Sequence, residues 1–210
     1  MLSEGLISDV LLTALSTGGD FAEIFVEDTY NTVIRMMNGT VEEGVSGRDY
    51  GVGIRIFQGT RSVYAYTNNT ERTNLLKVAL EAAAALPGTR QVESIVLNRC
   101  VVDKLNLIRL EPRKVPQKEK VDVMKKAHDA AFGYHDQISQ VSVNYLDTDQ
   151  SIMIANSEGL LTDDRRVRTR LAINAVATRG NEKQSGFYGP GRHMGFELFD
   201  HIDVEEYARE

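Results

Sequence analysis

Between Phe21 and Asn69 the chain reads FAEIFVEDTYNTVIRMMNGTVEEGVSGRDYGVGIRIFQGTRSVYAYTNN, short alternating runs broken by turn residues, with almost no helical periodicity. Alternation with a period of two marks strands that bury one face. The stretch therefore predicts an antiparallel meander. Ala22, Ile24 and Val26 share one face of an Ala22–Asp28 strand, with Glu23, Phe25 and Glu27 on the other. Thr32–Asn38 follows, Asn38-Gly39 supplies the positive-φ pair of a two-residue hairpin, and Thr40–Ser46 returns. Gly47-Arg48-Asp49 is expected to turn the chain into Tyr50–Phe57, and Gln58-Gly59-Thr60 into Arg61–Thr67. On Tyr50–Phe57, Val52, Ile54 and Ile56 oppose Gly51, Gly53 and Arg55. Glycine inside a strand marks a bend or a close approach. One reading lays a helix flat on the glycine face; the functional alternative is a groove for an extended peptide.

Helices are expected on both sides of this meander. Ser3–Ser16 carries Leu6, Val10 and Leu11 at helical spacing and stops at Gly18-Gly19. Thr70 is read as the cap of a second helix reaching Leu86, with Leu75, Ala79, Ala82 and Leu86 inward. Residues 87–116 read as a connector with one strand-like piece. The remainder reuses the plan: a helix at Gln117–Phe132, then strands at Ile138–Leu146, Ser151–Ala155, Leu160–Asp163, Arg166–Thr178, Gln184–Tyr188 and Phe196–Phe199. Asp147-Thr148-Asp149, Asn156–Gly159 and Arg179–Glu182 are the expected turns, and GPGRHMG a glycine-rich loop. The fold class is α+β, two successive units of antiparallel β-meander flanked by helices. The expected domains are residues 1–86 and 117–210, joined by 87–116. Asp203–Glu210 begins a helix and then ends, which suggests a fragment of a longer chain.

Chemistry is sparse. A net charge of −6 argues against nucleic-acid binding, which needs a concentrated basic face. Cys100 is the single cysteine, so no intramolecular disulfide forms. The N-terminus is acidic and no apolar run reaches spanning length, so neither a secretory signal nor a membrane segment is read and the expected location is cytoplasmic. The sequons at Asn38 and Asn68 are then turn chemistry. His128, His135, His193 and His201 lack the paired spacing of a helical zinc site. Glu42 and Glu43 point to opposite faces of one strand. GFYGPGRHMG lacks the Lys-Ser/Thr of a phosphate loop. No catalytic residue and no metal ligand is assigned. Arg166, Arg168 and Arg170, beside Arg165, project from one strand face and suit either solvent or an acidic partner. The candidate peptide or interface contacts are Gly51, Gly53, Arg55, Arg166, Arg168, Arg170 and Arg192.

The run AEIFVEDTYNTVIRMMNGTVEEGVSGRDYGVGIRIFQGTRSVYAYTNN resembles the first domain of the TldD/PmbA metallopeptidases, also called modulators of DNA gyrase. Gly51-Val-Gly-Ile-Arg55 with Tyr64-Ala-Tyr-Thr67 looks like the TldD branch. NSEGLLTDDRRVRTRLAINAVA and GRHMGFELF are similar to the family's middle domain. The resemblance implies a zinc peptidase acting on extended or unfolded peptides as a paired assembly, with a PmbA-like or TldD-like subunit as partner. It implies a His-Glu-x-x-x-His zinc motif in a C-terminal domain. This sequence has no His-Glu pair, so no cofactor is expected in this chain and zinc belongs to the absent domain. The main reading is the non-catalytic N-terminal part of such a peptidase. A stand-alone peptide- or protein-binding module is the alternative, and an enzyme using Cys100 or His193 a third.

Overall fold

The computed structural model describes residues 2–101 and 107–210; residues 102–106 of the expected connector lie outside it. Helices are α1 (Glu4–Ala14), α2 (Arg72–Ala84), α3 (Gln117–Phe132), α4 (Leu198–His201) and α5 (Val204–Arg209), with a 3-10 turn at Pro112–Lys114. Strands are β1 (Phe21–Met37), β2 (Thr40–Gln58), β3 (Arg61–Thr67), β4 (Asn98–Cys100), β5 (Ile138–Asn156), β6 (Leu160–Arg179), β7 (Glu182–Tyr188) and β8 (Gly191–Arg192). They form one sheet in the order β3-β2-β1-β5-β6-β4, with β7 and β8 also on β6. The β3, β7 and β8 pairings are antiparallel, and short β4 runs parallel to β6. The fold is α+β, meander strands flanked by helices.

Strand length departs from expectation. β1, β2, β5 and β6 each run 17 to 20 residues, where pairs of shorter strands were expected. Gly47-Arg48-Asp49 does not turn; it is extended strand. Asp147-Thr148-Asp149 does not turn either, because Asp147 and Asp149 are buried by partners instead of being solvated at a bend. Lys120 Nζ lies 2.6 Å from Asp147 Oδ2, and Arg113 Nε 3.7 Å from Asp149 Oδ2. True reversals fall where backbone φ is positive: Asn38 (47°) with Gly39 (78°), Gly59 (56°), Gly159 (94°) and Gly180 (59°).

By contacts the chain divides into two compact units that interleave along the sequence, because each long strand supplies a segment to both. The first comprises Met1–Thr29, Asp49–Asp103 and Ser151–Arg165. Here α1 and α2 pack together on the sheet face carrying Ala22, Ile24, Val52, Ile54, Met153 and Leu161. Fully burying a valine, leucine, isoleucine or methionine side chain stabilises by roughly 1.5–3 kcal/mol. The Ser3 hydroxyl caps α1 by accepting the Leu6 N–H at 3.4 Å. At α2 the cap position is Glu71, not Thr70, and no side chain caps it. Asn69 has instead turned the chain by accepting the Glu71 N–H at 2.9 Å, which leaves Thr70 as a hydroxyl partner for Tyr50. Cys100 is exposed on β4.

The second unit comprises Tyr30–Arg48, Lys104–Gln150 and Arg166–Glu210. Its core joins Ile34, Met36, Met124, Val143, Tyr145 and Leu171 with Phe196 and Val204. α5 packs on α3, and Asp203 caps α5 by accepting the Glu205 and Glu206 N–H groups at 2.9 and 3.2 Å. Phe196–Phe199 is not a strand but leads into α4. The buried Glu197 carboxylate explains this. It accepts the backbone N–H groups of Arg109, Leu110 and Gly195 at 3.0, 2.9 and 3.2 Å, which folds the segment around it.

Candidate functional site

The glycines of β2 locate the site. Val52, Ile54 and Ile56 point into the helix-covered core, so Gly51, Gly53 and Arg55 occupy the opposite, open sheet face. No helix lies flat on those glycines, contrary to the structural reading of the sequence. What approaches them closely is a pair of tyrosine rings from β3. A Cβ on Gly51 would stand 2.2 Å from the Tyr66 hydroxyl oxygen, and one on Gly53 2.4 Å from that of Tyr64. The Gly59 hairpin sets this register, pairing Gly53 with Tyr66 and Arg55 with Tyr64. Both rings keep much of their surface in solvent, Tyr64 55% and Tyr66 60% exposed.

A groove of about 250 Å³ runs beside them, lined by Glu23, Phe25, Arg55, Tyr64 and Ile154. The Arg55 guanidinium sits 5.4 Å from the Tyr64 ring centre and 3.6 Å from the Glu23 carboxylate. That arrangement combines an ion pair with a cation over an aromatic face. Sequence reasoning placed Gly51, Gly53 and Arg55 on one face but missed Tyr64 and Tyr66 as their covering partners. The signal lay in the alternation of Arg61–Thr67 read against the length of the preceding turn.

The arginine positions belong to the second unit and to two faces. Arg166 is half-buried, while Arg168 and Arg170 are exposed. Arg170 pairs with Gly191, where a Cβ would stand 3.1 Å from the Arg170 stem, and its guanidinium lies 6.0 Å from the Phe187 ring centre. Arg192 pairs with Thr169, so the register turns it away from Arg166, Arg168 and Arg170. The same unit has an apolar groove of about 270 Å³ between the end of α5 and β7, with Tyr134, Phe187, Tyr188 and Tyr207 in its walls.

Two buried polar groups in this unit escaped sequence reasoning. Lys120 and Asp147 form an ion pair with side chains 4% and 3% exposed, and Lys120 Nζ lies 5.1 Å from the Tyr145 ring centre. Burial holds the Tyr145 phenol far above its usual range, and the neighbouring Asp147 charge adds to this. For Glu197, burial opposes ionisation, but the backbone N–H donors, Arg109 first, outweigh it and hold the carboxyl below its usual value of 4.5.

The histidines do not converge. His128 is buried, with Nδ1 2.9 Å from an Asp129 oxygen and its ring stacked on Phe132. His135 Nδ1 accepts the Gln137 N–H at 3.1 Å. Among the described residues no three His, Cys, Asp or Glu side chains are grouped to hold a metal ion. Among the described residues, no helix is long and apolar enough to cross a membrane.

Comparison with known proteins gives these features a family. Residues 22–86 match the PmbA/TldA metallopeptidase domain 1, and residues 110–210 the PmbA/TldA metallopeptidase central domain. A metalloprotease of Methanothermobacter thermautotrophicus is 32% identical over 193 residues, 90% of this chain and 41% of that protein. A metalloprotease TldD homolog of Haemophilus influenzae is 22% identical, covering 86% of this chain and 38% of its own. The chain thus spans about two-fifths of these relatives. The structure of TldE from Thermococcus kodakarensis superposes with a TM-score of 0.68 at 15% identity, over 90% of this chain and 42% of that one. A Thermotoga maritima structure named for modulation of DNA gyrase gives 0.71 at 19%, over 90% and 42%. At such identities the structures speak for the fold, and the two matched domains decide the rest: the chain belongs to the PmbA/TldD metallopeptidase family.

Proposed function

We propose that this chain is the non-catalytic N-terminal portion of a TldD-type zinc metallopeptidase acting in proteolysis or peptide maturation. The observation that carries the reading is the match to the first and central domains, with the chain spanning about two-fifths of the relatives it matches. Zinc would be held by a His-Glu-x-x-x-His motif in a C-terminal domain. The chain would supply scaffold, peptide contacts and subunit contacts. Gly51, Gly53 and Arg55 fall to the peptide, and Arg166, Arg168, Arg170 and Arg192 to a PmbA-like or TldD-like subunit. The setting proposed is the cytoplasm.

A second reading, a stand-alone peptide-binding module, draws support from the exposed tyrosines beside the groove of the first unit. Two measurements separate these readings from an enzyme. The purified chain, given zinc and an unfolded protein, is expected to bind no stoichiometric zinc and to leave the substrate intact. Cleavage or tight zinc binding that disappears on substituting His128, His135, His193 or His201 would overturn both readings. Between the two, a reading frame that continues past Glu210 into a His-Glu-x-x-x-His motif favours the peptidase portion, and a stop codon there favours the module.

A further inference from the structure

The groove beside Tyr64 crosses four neighbouring strands, β3, β2, β1 and β5, which contribute in turn Tyr64, Arg55, Glu23 with Phe25, and Ile154. An ion pair therefore stands at its middle, with apolar surface to either side. We propose that the groove binds one residue of an extended peptide, Arg55 and Glu23 holding its backbone while Phe25 and Ile154 receive a large apolar side chain. This rests on the peptide-contact role given above to the face and specifies the class of peptide it takes.

The backbone half of the site follows from the geometry of the pair. Arg55 Nη1 and Glu23 Oε1 lie 3.6 Å apart, beyond the length of a good hydrogen bond. Among the described residues, neither side chain has a hydrogen-bond partner. Both are partly exposed, at 48% and 36%, so the pair itself contributes little and its groups can turn to a ligand at small cost. An extended residue points its N–H and C=O to the same side of the strand, and an opposing residue in an antiparallel ladder meets both. Arg55 and Glu23 present the same complement, a donor for the C=O beside an acceptor for the N–H.

The side-chain half follows from the flanks. Phe25 and Ile154 are half-buried on the open face, since their neighbours Ile24, Val26, Met153 and Ala155 turn into the core. They keep apolar surface that a ligand can cover. On the other flank the Tyr64 ring already carries the Arg55 guanidinium and stands against Gly53, where a Cβ would collide with it. A guanidinium held this way costs little to order again on binding.

Size and charge narrow the class. At about 250 Å³ the groove falls below the usual range of small-molecule pockets, so it suits one side chain and leaves the rest of the peptide outside. Among the described residues, Arg55 and Glu23 are the charged members of its lining, and they offset each other. A charged side chain laid against Phe25 and Ile154 would lose water without gaining a partner, which an apolar one does not.

The test is an amide NMR titration of the whole 210-residue chain with capped alanine peptides whose central residue is leucine, alanine, lysine or glutamate. The leucine peptide should bind roughly tenfold tighter than the other three, the size expected for partial burial of its side chain. It should also shift the amides of Glu23, Phe25, Arg55 and Ile154. Ile154→Ala should bring the leucine peptide down to the alanine level and leave the alanine peptide unchanged. Arg55→Met, which keeps the stem and removes the donors, should weaken both peptides alike. A leucine peptide with an ester in place of the central N–H should bind roughly fivefold more weakly, the worth of one hydrogen bond. That arm alters the ligand alone, so no folding defect can imitate it. Equal binding of leucine and alanine peptides, tighter binding of lysine or glutamate, or an ester peptide as tight as its amide overturns the proposal. So does self-association that Ile154→Ala abolishes, since a second copy would then occupy the groove. The failures stay distinguishable. Binding without leucine preference sinks this site alone, no binding by any peptide sinks the peptide-contact role with it, and cleaved peptide in the recovered sample sinks the non-catalytic reading.

Discussion

Glu197 shows how one buried carboxylate organises a turn. Its charge is satisfied by backbone donors, which hold the carboxyl below its usual value despite burial. Because the folded protein holds the proton less tightly than the unfolded chain, the stabilisation is fully present above the ordinary value of 4.5. It is lost as pH falls through the depressed folded value. Glu197→Gln is expected to destabilise by about 1–3 kcal/mol at neutral pH, because an amide nitrogen cannot accept the N–H bonds that the oxygens took. Urea unfolding at pH 7 and under acid conditions checks this. The gap between the two proteins should narrow in acid, and a constant gap would show that ionisation is irrelevant. Nothing local in Phe196-Glu197-Leu198 reveals the role, since Arg109 and Leu110 lie more than eighty residues away in sequence.

At the scale of elements, what was legible followed local chemistry. α3 spans Gln117–Phe132 as its periodicity predicts, and the hairpins at Asn38-Gly39, Gly59, Gly159 and Gly180 sit where positive φ is cheapest. What stayed hidden was continuity. Polar residues inside β2 and β5 look like turns until their partners are known, and Lys120 lies on a different element from Asp147. The candidate face was half legible: alternation put Gly51, Gly53 and Arg55 together, while the tyrosines covering the glycines depend on pairing with β3. Asn38 offers a test of the hairpin logic. It adopts φ of 47°, and its side-chain oxygen accepts the Val141 N–H at 2.9 Å, tying the hairpin to β5. Asn38→Ala should therefore cost about 1–2 kcal/mol, from the left-handed backbone and the lost hydrogen bond together. Thermal or denaturant melting measures it, and a change within about 0.5 kcal/mol, ordinary for a surface site, would remove the hairpin from this account.

At the scale of the molecule, each unit is assembled from three separated stretches of chain. The core of the first unit includes Met153, Ala155 and Leu161, contributed long after α2 has ended. A fragment of residues 1–116 should accordingly show no cooperative unfolding transition, whereas the whole chain should unfold cooperatively in urea. A sharp transition in that fragment, with near-native amide dispersion, would show that the late strands are dispensable.

The interleaving also sets a timetable during synthesis. Domains commonly fold in order as they leave the ribosome, N-terminal first. Here Ile7, Leu11, Leu75 and Ala79 are translated early, yet β5 and β6 must emerge through Arg165 before the first unit has all its strands. Until then the apolar stripes of α1 and α2 have only part of their cover, and the nascent chain presents to chaperones a surface that the finished protein never shows.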